Sequence, residues 1–208
     1  MKEKKDTPAI VKGLLKLQKD YANTYRSIVT EERYNNIISP GLLKKYNYDS
    51  QEIREPLIEH VGHLPIIASY LHQFIENKDK VNLGRVLIIL SIHDIGETKV
   101  GDVLTYIKSE SHERLEDKFA KETLPDYLYN YFTEYSEEKT LDAKFAKAVD
   151  SIAPLLHELQ IPKVTLGRFK YHGFGIDNII AKKKGYFQWD AVLSDIFGHI
   201  IEEFRQMK

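Results

Sequence analysis

Apolar side chains recur at intervals of three and four along most of the chain, which is the spacing of one face of a helix. Alternation of apolar and polar positions, which is typical of a half-buried strand, is weak throughout. The pattern therefore predicts an all-α fold, a compact helical bundle with irregular crossings. The predicted helices cover residues 10–21, 57–75, 82–94, 112–123, 128–135, 140–159 and 188–207.

Prolines, glycines and capping residues predict where these helices begin and end. Asn82 is a suitable N-cap for the third helix, which should end near Gly96. Pro65 allows a kink inside the second helix, and Pro125 separates the fourth from the fifth. Residues 161–175 contain one proline and three glycines and are predicted to form a loop.

The third predicted helix is apolar on nearly all sides and ends in a His-Asp pair, His93 and Asp94. Its apolar run is far too short to cross a bilayer, so we expect a central, buried helix. Burying an ionised carboxylate is costly unless a partner or a metal ion compensates the charge. Imidazole and carboxylate together suit a borderline divalent metal such as Mn, Fe, Co, Ni or Zn.

Two further polar side chains stand in apolar surroundings and could complete such a site. His60 lies on the face of the second helix that its apolar neighbours turn inward, and Asp150 lies in the apolar stretch of the sixth. Each has an ordinary alternative, because a lone histidine on an apolar face is more often a core residue. Asp150 by itself could be a cap or a salt-bridge partner. The case for a metal site depends on the complete set.

Composition narrows the classes of function and location. The 208 residues include 30 basic and 31 acidic side chains, so no global positive field favours a nucleic acid polymer. The length fits one domain spanning residues 1–208. The absence of cysteine excludes disulfides and thiolate chemistry and is compatible with a reducing cytosol. The charged N-terminal segment does not resemble a secretory signal, and we expect a cytoplasmic protein without a membrane segment.

His60, the His93–Asp94 pair and Asp150 together resemble the H…HD…D pattern of the HD-domain phosphohydrolase superfamily. Segments 54–60 and 142–150 resemble the approaches to the first and last ligands, and 93–102 resembles the HD…E…GD stretch of one branch. That branch contains 5'-deoxynucleotidases and related small hydrolases. The resemblance covers about residues 50–180 and implies an HD-domain helical bundle with helical extensions at both ends.

The resemblance implies a role for each of several side chains. One divalent cation, with Mg added to the metals above, would be held by His60, His93, Asp94 and Asp150. Glu97 would handle protons, Asp102 would bind a substrate hydroxyl or orient the nucleophile, and Arg54 would clamp a phosphate. A single cation is favoured because binuclear relatives carry extra histidines between the HD pair and the last Asp, where this chain has only His112.

Other interpretations of these residues stay open at this point. Glu97 could be an exposed acid beside Lys99, Asp102 a loop cap, and Arg54 a surface partner of a neighbouring glutamate. His63 could support the site, although a packed helix histidine is more common. Four tyrosines are expected in the core or at an interface: Tyr70, Tyr129, Tyr131 and Tyr135. The run 182–184 of three lysines is interpreted as a solvated face.

The sequence thus predicts a phosphohydrolase that releases phosphate from a nucleoside or deoxynucleoside 5'-monophosphate by a metal-activated water. The expected partner is a small phosphorylated substrate, and long apolar helices with thirteen tyrosines favour a homodimer. The alternative is a catalytically idle HD domain that binds a nucleotide as a sensor or scaffold.

Overall fold

A computed structural model describes residues 21, 24–29, 54–103, 108–160 and 162–207, with some side chains outside the description, among them those of 25–29 and Arg54. Helices dominate, so the predicted all-α class is confirmed. None of the helices in these ranges combines the length and apolar character needed to cross a membrane. The helices are α1 (Leu57–His72), α2 (Leu83–Ile92), α3 (Glu97–Val100), α4 (Glu110–Thr123), α5 (Asp126–Glu137), α6 (Leu141–Gln160), α7 (Pro162–His172), α8 (Ile176–Lys183) and α9 (Ala191–Gln206), with 3₁₀ turns at Lys78–Lys80 and Lys184–Phe187.

Two short strands precede the helical part. β1 (Tyr25–Val29) pairs in antiparallel fashion with β2 (Arg54–Pro56), with Tyr25 opposite Pro56. The backbone N–H of Leu57 then donates to the carbonyl of Thr24 at 2.8 Å, which ties the start of α1 to this pair. A strand of three residues is too short to show a period of two in the sequence. The helix predicted over residues 10–21 lies outside the described residues except for Tyr21, which is helical and buried.

The core lies where α1, α2 and α6 meet. Side chains from these helices are removed from solvent in one apolar cluster, for example Leu64, Val86, Leu90, Phe145 and Val149, each with 0% exposure. Full burial of such a side chain contributes about 1.5–3 kcal/mol of transfer free energy. The central position predicted for the third helix is therefore confirmed, because α2 has buried residues on several sides.

Polar contacts hold the start of α2 in place. The side chain of Asn82 accepts a hydrogen bond from the backbone N–H of Arg85 at 3.2 Å, so the predicted N-cap is confirmed. The carboxylate of Asp142, at the start of α6, accepts from the Asn82 N–H at 2.7 Å and from the Arg85 Nε at 3.0 Å. These bonds fix the relative position of α2 and α6, the two helices that carry most of the candidate site.

The loop predicted over residues 161–175 is wrong, because α7 occupies most of it. Pro162 stands at the first helical position, where its missing N–H has no helical partner to lose. Thr165 and Phe169, four residues apart, are both buried, so one face of α7 packs against the protein. Gly173 then adopts a φ of +68°, which ends the segment. Helix α8, which follows, was also not predicted.

Candidate metal centre

Three helices bring the four predicted ligands together. His60 lies on α1, Asp150 lies on α6, and His93 and Asp94 follow directly after the last residue of α2. The Asp150 Oδ1 lies 3.2 Å from the His60 Nε2 and 3.4 Å from the His93 Nε2. The Asp94 Oδ2 lies 3.5 Å from the His60 Nε2, and the Asp94 Oδ1 lies 3.1 Å from the His93 Nε2. Each carboxylate thus lies within 3.5 Å of both imidazole nitrogens, and the ligand atoms of His60, His93 and Asp94 all lie within 4.8 Å of one another.

The end of α2 produces this arrangement locally. The His93 N–H still donates to the Ile89 carbonyl at 3.0 Å, whereas the chain beyond turns tightly and the Glu97 N–H donates to the Asp94 carbonyl at 3.0 Å. The helix predicted to reach Asp94 therefore stops at Ile92. Because adjacent residues of a continuous helix point about 100° apart, the turn lets both side chains of the pair face the same point.

The surroundings of His93 fit a cation. Its side chain is 1% exposed, and its Nδ1 lies 3.0 Å from the Leu90 carbonyl, which fixes Nδ1–H as the donor. The Nε2 atom faces the carboxylates of Asp94 and Asp150, at 3.1 and 3.4 Å. A bare lone pair in that position would be unfavourable, so Nε2 needs either a proton or a metal ion between it and the carboxylates. The donor set, two nitrogens and two carboxylates, matches a divalent cation.

The pKa values of His93 and Asp150 are shifted by the charges of the neighbouring side chains. Burial lowers the pKa of His93, but the charges of Asp94 and Asp150 outweigh burial and raise it. Burial raises the pKa of the Asp150 carboxyl, but its interactions with His60 and His93 hold it well below its usual range. The raised pKa of His93 reflects the negative charge of the two carboxylates, and the lowered pKa of Asp150 reflects the two histidines that face it.

Glu97 stands next to this group and is buried, with an exposed fraction of 6%. Because Glu97 is buried, the alternative of an exposed acid beside Lys99 is wrong. The cation near Glu97 is Lys108, whose Nζ lies 3.8 Å from the Glu97 Oε1 and 2.7 Å from a carboxylate oxygen of Glu116 on α4. Burial raises the pKa of Glu116, although Lys108 lowers it. Burial lowers the pKa of Lys108, but the carboxylates of Glu116 and Glu97 outweigh burial and raise it.

Gly96 allows α4 to approach this corner. A Cβ atom placed on Gly96 would lie 2.5 Å from the Glu116 Cβ and 2.7 Å from its Cα. No real side chain tolerates such distances, so only glycine lets the turn between Asp94 and Glu97 pack on α4. This packing sets where Glu116, and through it Lys108, stands relative to Glu97.

A cleft of about 750 Å³ opens onto the site. His93, Asp94, Glu97 and Asp150 form part of its wall, and so does Asp102, which follows the turn at Gly101. Cations from three parts of the chain also line the cleft, namely Lys108, Arg114, Lys147, Lys182 and Lys183. The interpretation of run 182–184 as a purely solvated face is therefore wrong for Lys183, which is partly buried and donates to the Ser151 carbonyl at 3.4 Å.

Other candidate residues stand apart from the four ligands. Arg54 lies in β2, and its side chain is outside the described part of the structure. His63 groups with Glu55 and Glu59 rather than with the four ligands.

Sequence reasoning assigned no site role to Tyr135. This residue on α5 donates from its hydroxyl to the Asp150 Oδ2 at 2.7 Å. The expectation that Tyr135 is a core residue is confirmed, as its exposure is 7%. Nothing in the spacing of residues 135 and 150 signals the contact, because the two side chains come from different helices.

Comparison with known proteins places this architecture in a family. A family model described as "HD domain" matches residues 45–187. The chain belongs to the HD domain family.

Among curated proteins, this HD domain is similar to the Mus musculus protein named 5'-deoxynucleotidase HDDC2. The two are 26% identical over 118 residues, which cover 52% of this chain and 57% of the mouse protein. The Xenopus laevis protein of the same name is 25% identical over 146 residues, covering 60% of this chain and 70% of that protein. The Homo sapiens protein of the same name is 25% identical, and the match covers 55% of its length. The chain therefore spans little more than half the length of the mouse and human relatives.

Solved structures share the fold of this HD domain. A predicted metal-dependent phosphohydrolase from Magnetospirillum magnetotacticum MS-1 superposes with a TM-score of 0.73 at 23% identity, covering 96% of this chain and 95% of that one. A conserved hypothetical protein from Pyrococcus furiosus gives a TM-score of 0.51 at 22% identity, covering 94% and 99%. At these identities the similarity shows the fold alone.

Proposed function

We propose that the protein is a metal-dependent phosphohydrolase that releases phosphate from a nucleoside or deoxynucleoside 5'-monophosphate. The observation that carries the proposal is the close grouping of His60, His93, Asp94 and Asp150, in which each carboxylate lies within 3.5 Å of both imidazole nitrogens. His93, Asp94 and Asp150 of this group line a cleft. Membership of the HD domain family supports it. The substrate class is supported by relatives whose names describe 5'-deoxynucleotidases.

The four converging side chains would hold one divalent cation. When bound, such an ion polarises a phosphoryl group and makes a neighbouring water a stronger nucleophile. The protein's part is to fix the ligands: the Nδ1 of His93 bonds the Leu90 carbonyl, and the Asp150 Oδ2 accepts from Tyr135. Ligands held in this way need little rearrangement when the cation arrives.

Glu97 is the residue to which we assign proton transfer. Its carboxylate is buried, lines the cleft and follows Asp94 by three residues, so it can orient a water molecule or protonate the leaving oxygen. The ammonium of Lys108, 3.8 Å from the Glu97 Oε1, holds that carboxylate in place. Asp102 lines the same cleft and would contact a substrate hydroxyl, and Arg54 would bind phosphate.

The test is a phosphate-release screen. The protein is treated with a chelator, then supplied with Mn²⁺, Co²⁺, Mg²⁺, Zn²⁺, Ni²⁺ or Fe²⁺ and with each ribonucleoside and deoxynucleoside 5'-monophosphate. Phosphate should appear with at least one pair, and His93→Ala should abolish both metal binding and release. His199→Ala is the matched control, because His199 is an exposed histidine on α9. Tight nucleotide binding without release from any pair would instead favour the sensor or scaffold function.

The homodimer also stays a prediction. Ile66, Tyr70 and Phe74 lie four residues apart along α1 and just beyond its end, and all three are exposed, at 68%, 64% and 49%. Such a row of apolar side chains is consistent with burial against a second copy. Light scattering at micromolar concentration should give twice the monomer mass, and a monomer mass there would contradict the prediction.

A further inference from the structure

The two carboxylate oxygens of Asp150 face different partners. Oδ1 lies 3.2 Å from the His60 Nε2 and 3.4 Å from the His93 Nε2, so it points at the proposed metal position. Oδ2 accepts a hydrogen bond from the Tyr135 hydroxyl at 2.7 Å. A hydrogen bond of this length to an ionised oxygen is among the stronger ones in proteins. One oxygen is thus engaged by α5 while the other stays directed at the histidines.

Tyr135 is itself held firmly. Its ring meets the ring of His93 edge-on, with centroids 4.9 Å apart and an interplanar angle of 62°. The Lys147 Nζ lies 4.2 Å from the centroid of the Tyr135 ring. The same ammonium lies 3.9 Å from a carboxylate oxygen of Glu138, the residue just after α5. The phenol O–H donates to the Asp150 carboxylate, which as an ionised group can only accept. The hydroxyl therefore has little freedom to leave Asp150.

This contact decides how Asp150 can bind a cation. The terminal torsion of a carboxylate is broad and roughly two-fold, so an unsupported aspartate can rotate or offer both oxygens. With Oδ2 held by Tyr135, the carboxylate cannot rotate without losing that bond, and Oδ1 is the oxygen that stands beside the two imidazole nitrogens. Tyr135 would thus act on the metal through a ligand rather than by touching it.

We propose that Tyr135 is a positioning residue that makes Asp150 a monodentate ligand through Oδ1. The inference rests on the metal site of the proposed function. Hydrogen-bonding partners of metal ligands typically change metal affinity by about 10–100-fold when they are removed. We expect loss of the Tyr135 hydroxyl alone to change metal affinity by an amount in this range. The ring of Tyr135 is assigned only a packing role.

The chain offers a matched control in Tyr129, six residues earlier on α5. Its hydroxyl also donates to a carboxylate, that of Asp117 at 2.9 Å, but Asp117 is exposed and is not among the four ligands. Tyr135→Phe and Tyr129→Phe therefore each remove one phenol–carboxylate bond and keep the ring. Only the first should affect the metal.

The experiment measures metal binding without any assay of activity. Chelator-treated wild type, Tyr135→Phe and Tyr129→Phe are titrated with Mn²⁺ and with Co²⁺ by calorimetry, and the visible absorption of the Co²⁺ forms is recorded. Thermal unfolding of the metal-free proteins shows whether each variant is folded. We expect the Kd of Tyr135→Phe to rise about 10–100-fold with an altered Co²⁺ spectrum, and that of Tyr129→Phe to match wild type.

The possible failures are distinct. If the wild type binds neither ion, the proposed metal site itself is wrong. If the wild type binds and Tyr135→Phe has the same Kd and the same Co²⁺ spectrum, the metal site stands and the positioning role is wrong, even when the variant unfolds at a lower temperature. A purely structural tyrosine would lower the unfolding temperature of the metal-free protein and leave the metal affinity unchanged.

Discussion

At the scale of single residues, Glu97 combines burial with a place in the cleft wall. A carboxylate that is 6% exposed and stands 3.8 Å from an ammonium is costly to bury for packing alone. Its position three residues after Asp94, on the short helix α3, puts it beside the four proposed ligands without making it one of them. Proton transfer is the role that this combination supports.

Replacing Glu97 by glutamine tests that role, because the change keeps size and shape but removes the charge and the proton acceptor. We expect kcat to fall by about 10²–10⁴-fold, the usual range for a lost general acid or base. Metal affinity measured by calorimetry should stay at the wild-type value. Full activity of Glu97→Gln, with His93→Ala inactive, would show that another group moves the proton.

Lys108 should act through Glu97, and a double-mutant cycle can show it. Lys108→Met removes the ammonium that lies between Glu97 and Glu116, so kcat should fall in the wild-type background while metal affinity stays the same. In the Glu97→Gln background the same change should have little further effect, because coupled residues are not additive. Lys118→Met, an exposed lysine on α4 paired with Glu122, is the control. Equal effects in both backgrounds would contradict the coupling.

At the scale of elements, the contact of the Asp94–Glu97 turn with α4 controls the geometry of the site. Gly96 has no room for a side chain, since a Cβ would lie 2.5 Å from the Glu116 Cβ and 2.8 Å from the Glu116 carbonyl oxygen. The Glu116 Cα lies at 2.7 Å, and this atom and the carbonyl oxygen belong to the backbone, which cannot move aside as a flexible side chain can. A substitution must therefore displace α4 or the turn.

Gly96→Ala should consequently lower the free energy of unfolding by about 1–3 kcal/mol, the usual cost of overpacking. It should also reduce kcat, because Glu116 and Lys108 move with α4. Gly198→Ala is the matched control: Gly198 lies inside α9, and a Cβ on it would meet no atom within 4 Å beyond its chain neighbours and the backbone of its own helix. That change should leave activity intact and raise stability by about 0.4–1 kcal/mol. Denaturant unfolding measures the stability of each variant, and phosphate release measures its activity. A Gly96→Ala protein as stable and active as wild type would contradict the packing argument.

At the scale of the whole molecule, the proposed cation joins three helices that are distant in sequence. Its ligands come from α1, from the end of α2 and from α6, so an ion that binds only the folded chain stabilises the packing of all three. At a metal concentration of about 100 times Kd the added stability is about 2.7 kcal/mol. For a chain of this size that corresponds to a shift in Tm of about 5–10 °C.

Removal of metal by a chelator should therefore lower Tm by about that amount, and addition of the preferred ion should restore it. Scanning calorimetry measures the shift. His93→Ala should have the same Tm with and without added metal, whereas His199→Ala should respond as the wild type does. A wild-type Tm that is independent of metal would contradict the proposed ion.

Local patterns in the sequence were sufficient for the helical class, the buried position of α2 and the choice of four ligand candidates. Helical periodicity is a local property, and polar residues in apolar stretches can be recognised without knowing the fold. The same local patterns were wrong for residues 161–175, because the glycines there suggested a loop while burial of Thr165 and Phe169 stabilises α7. Tertiary packing outweighed local propensity at that point.

Only the tertiary structure decided which side chains support the candidate site. Tyr135 reaches Asp150 from a neighbouring helix, and Lys108 reaches Glu97 and Glu116 from outside their helices. Such contacts depend on how helices are placed against one another, and that placement depends on features such as the missing side chain of Gly96. Residue types and their spacing along the chain determine the chemistry that is available here. The packing of α4, α5 and α6 determines which atoms can take part, because hydrogen bonds and ion pairs act only over a few ångströms.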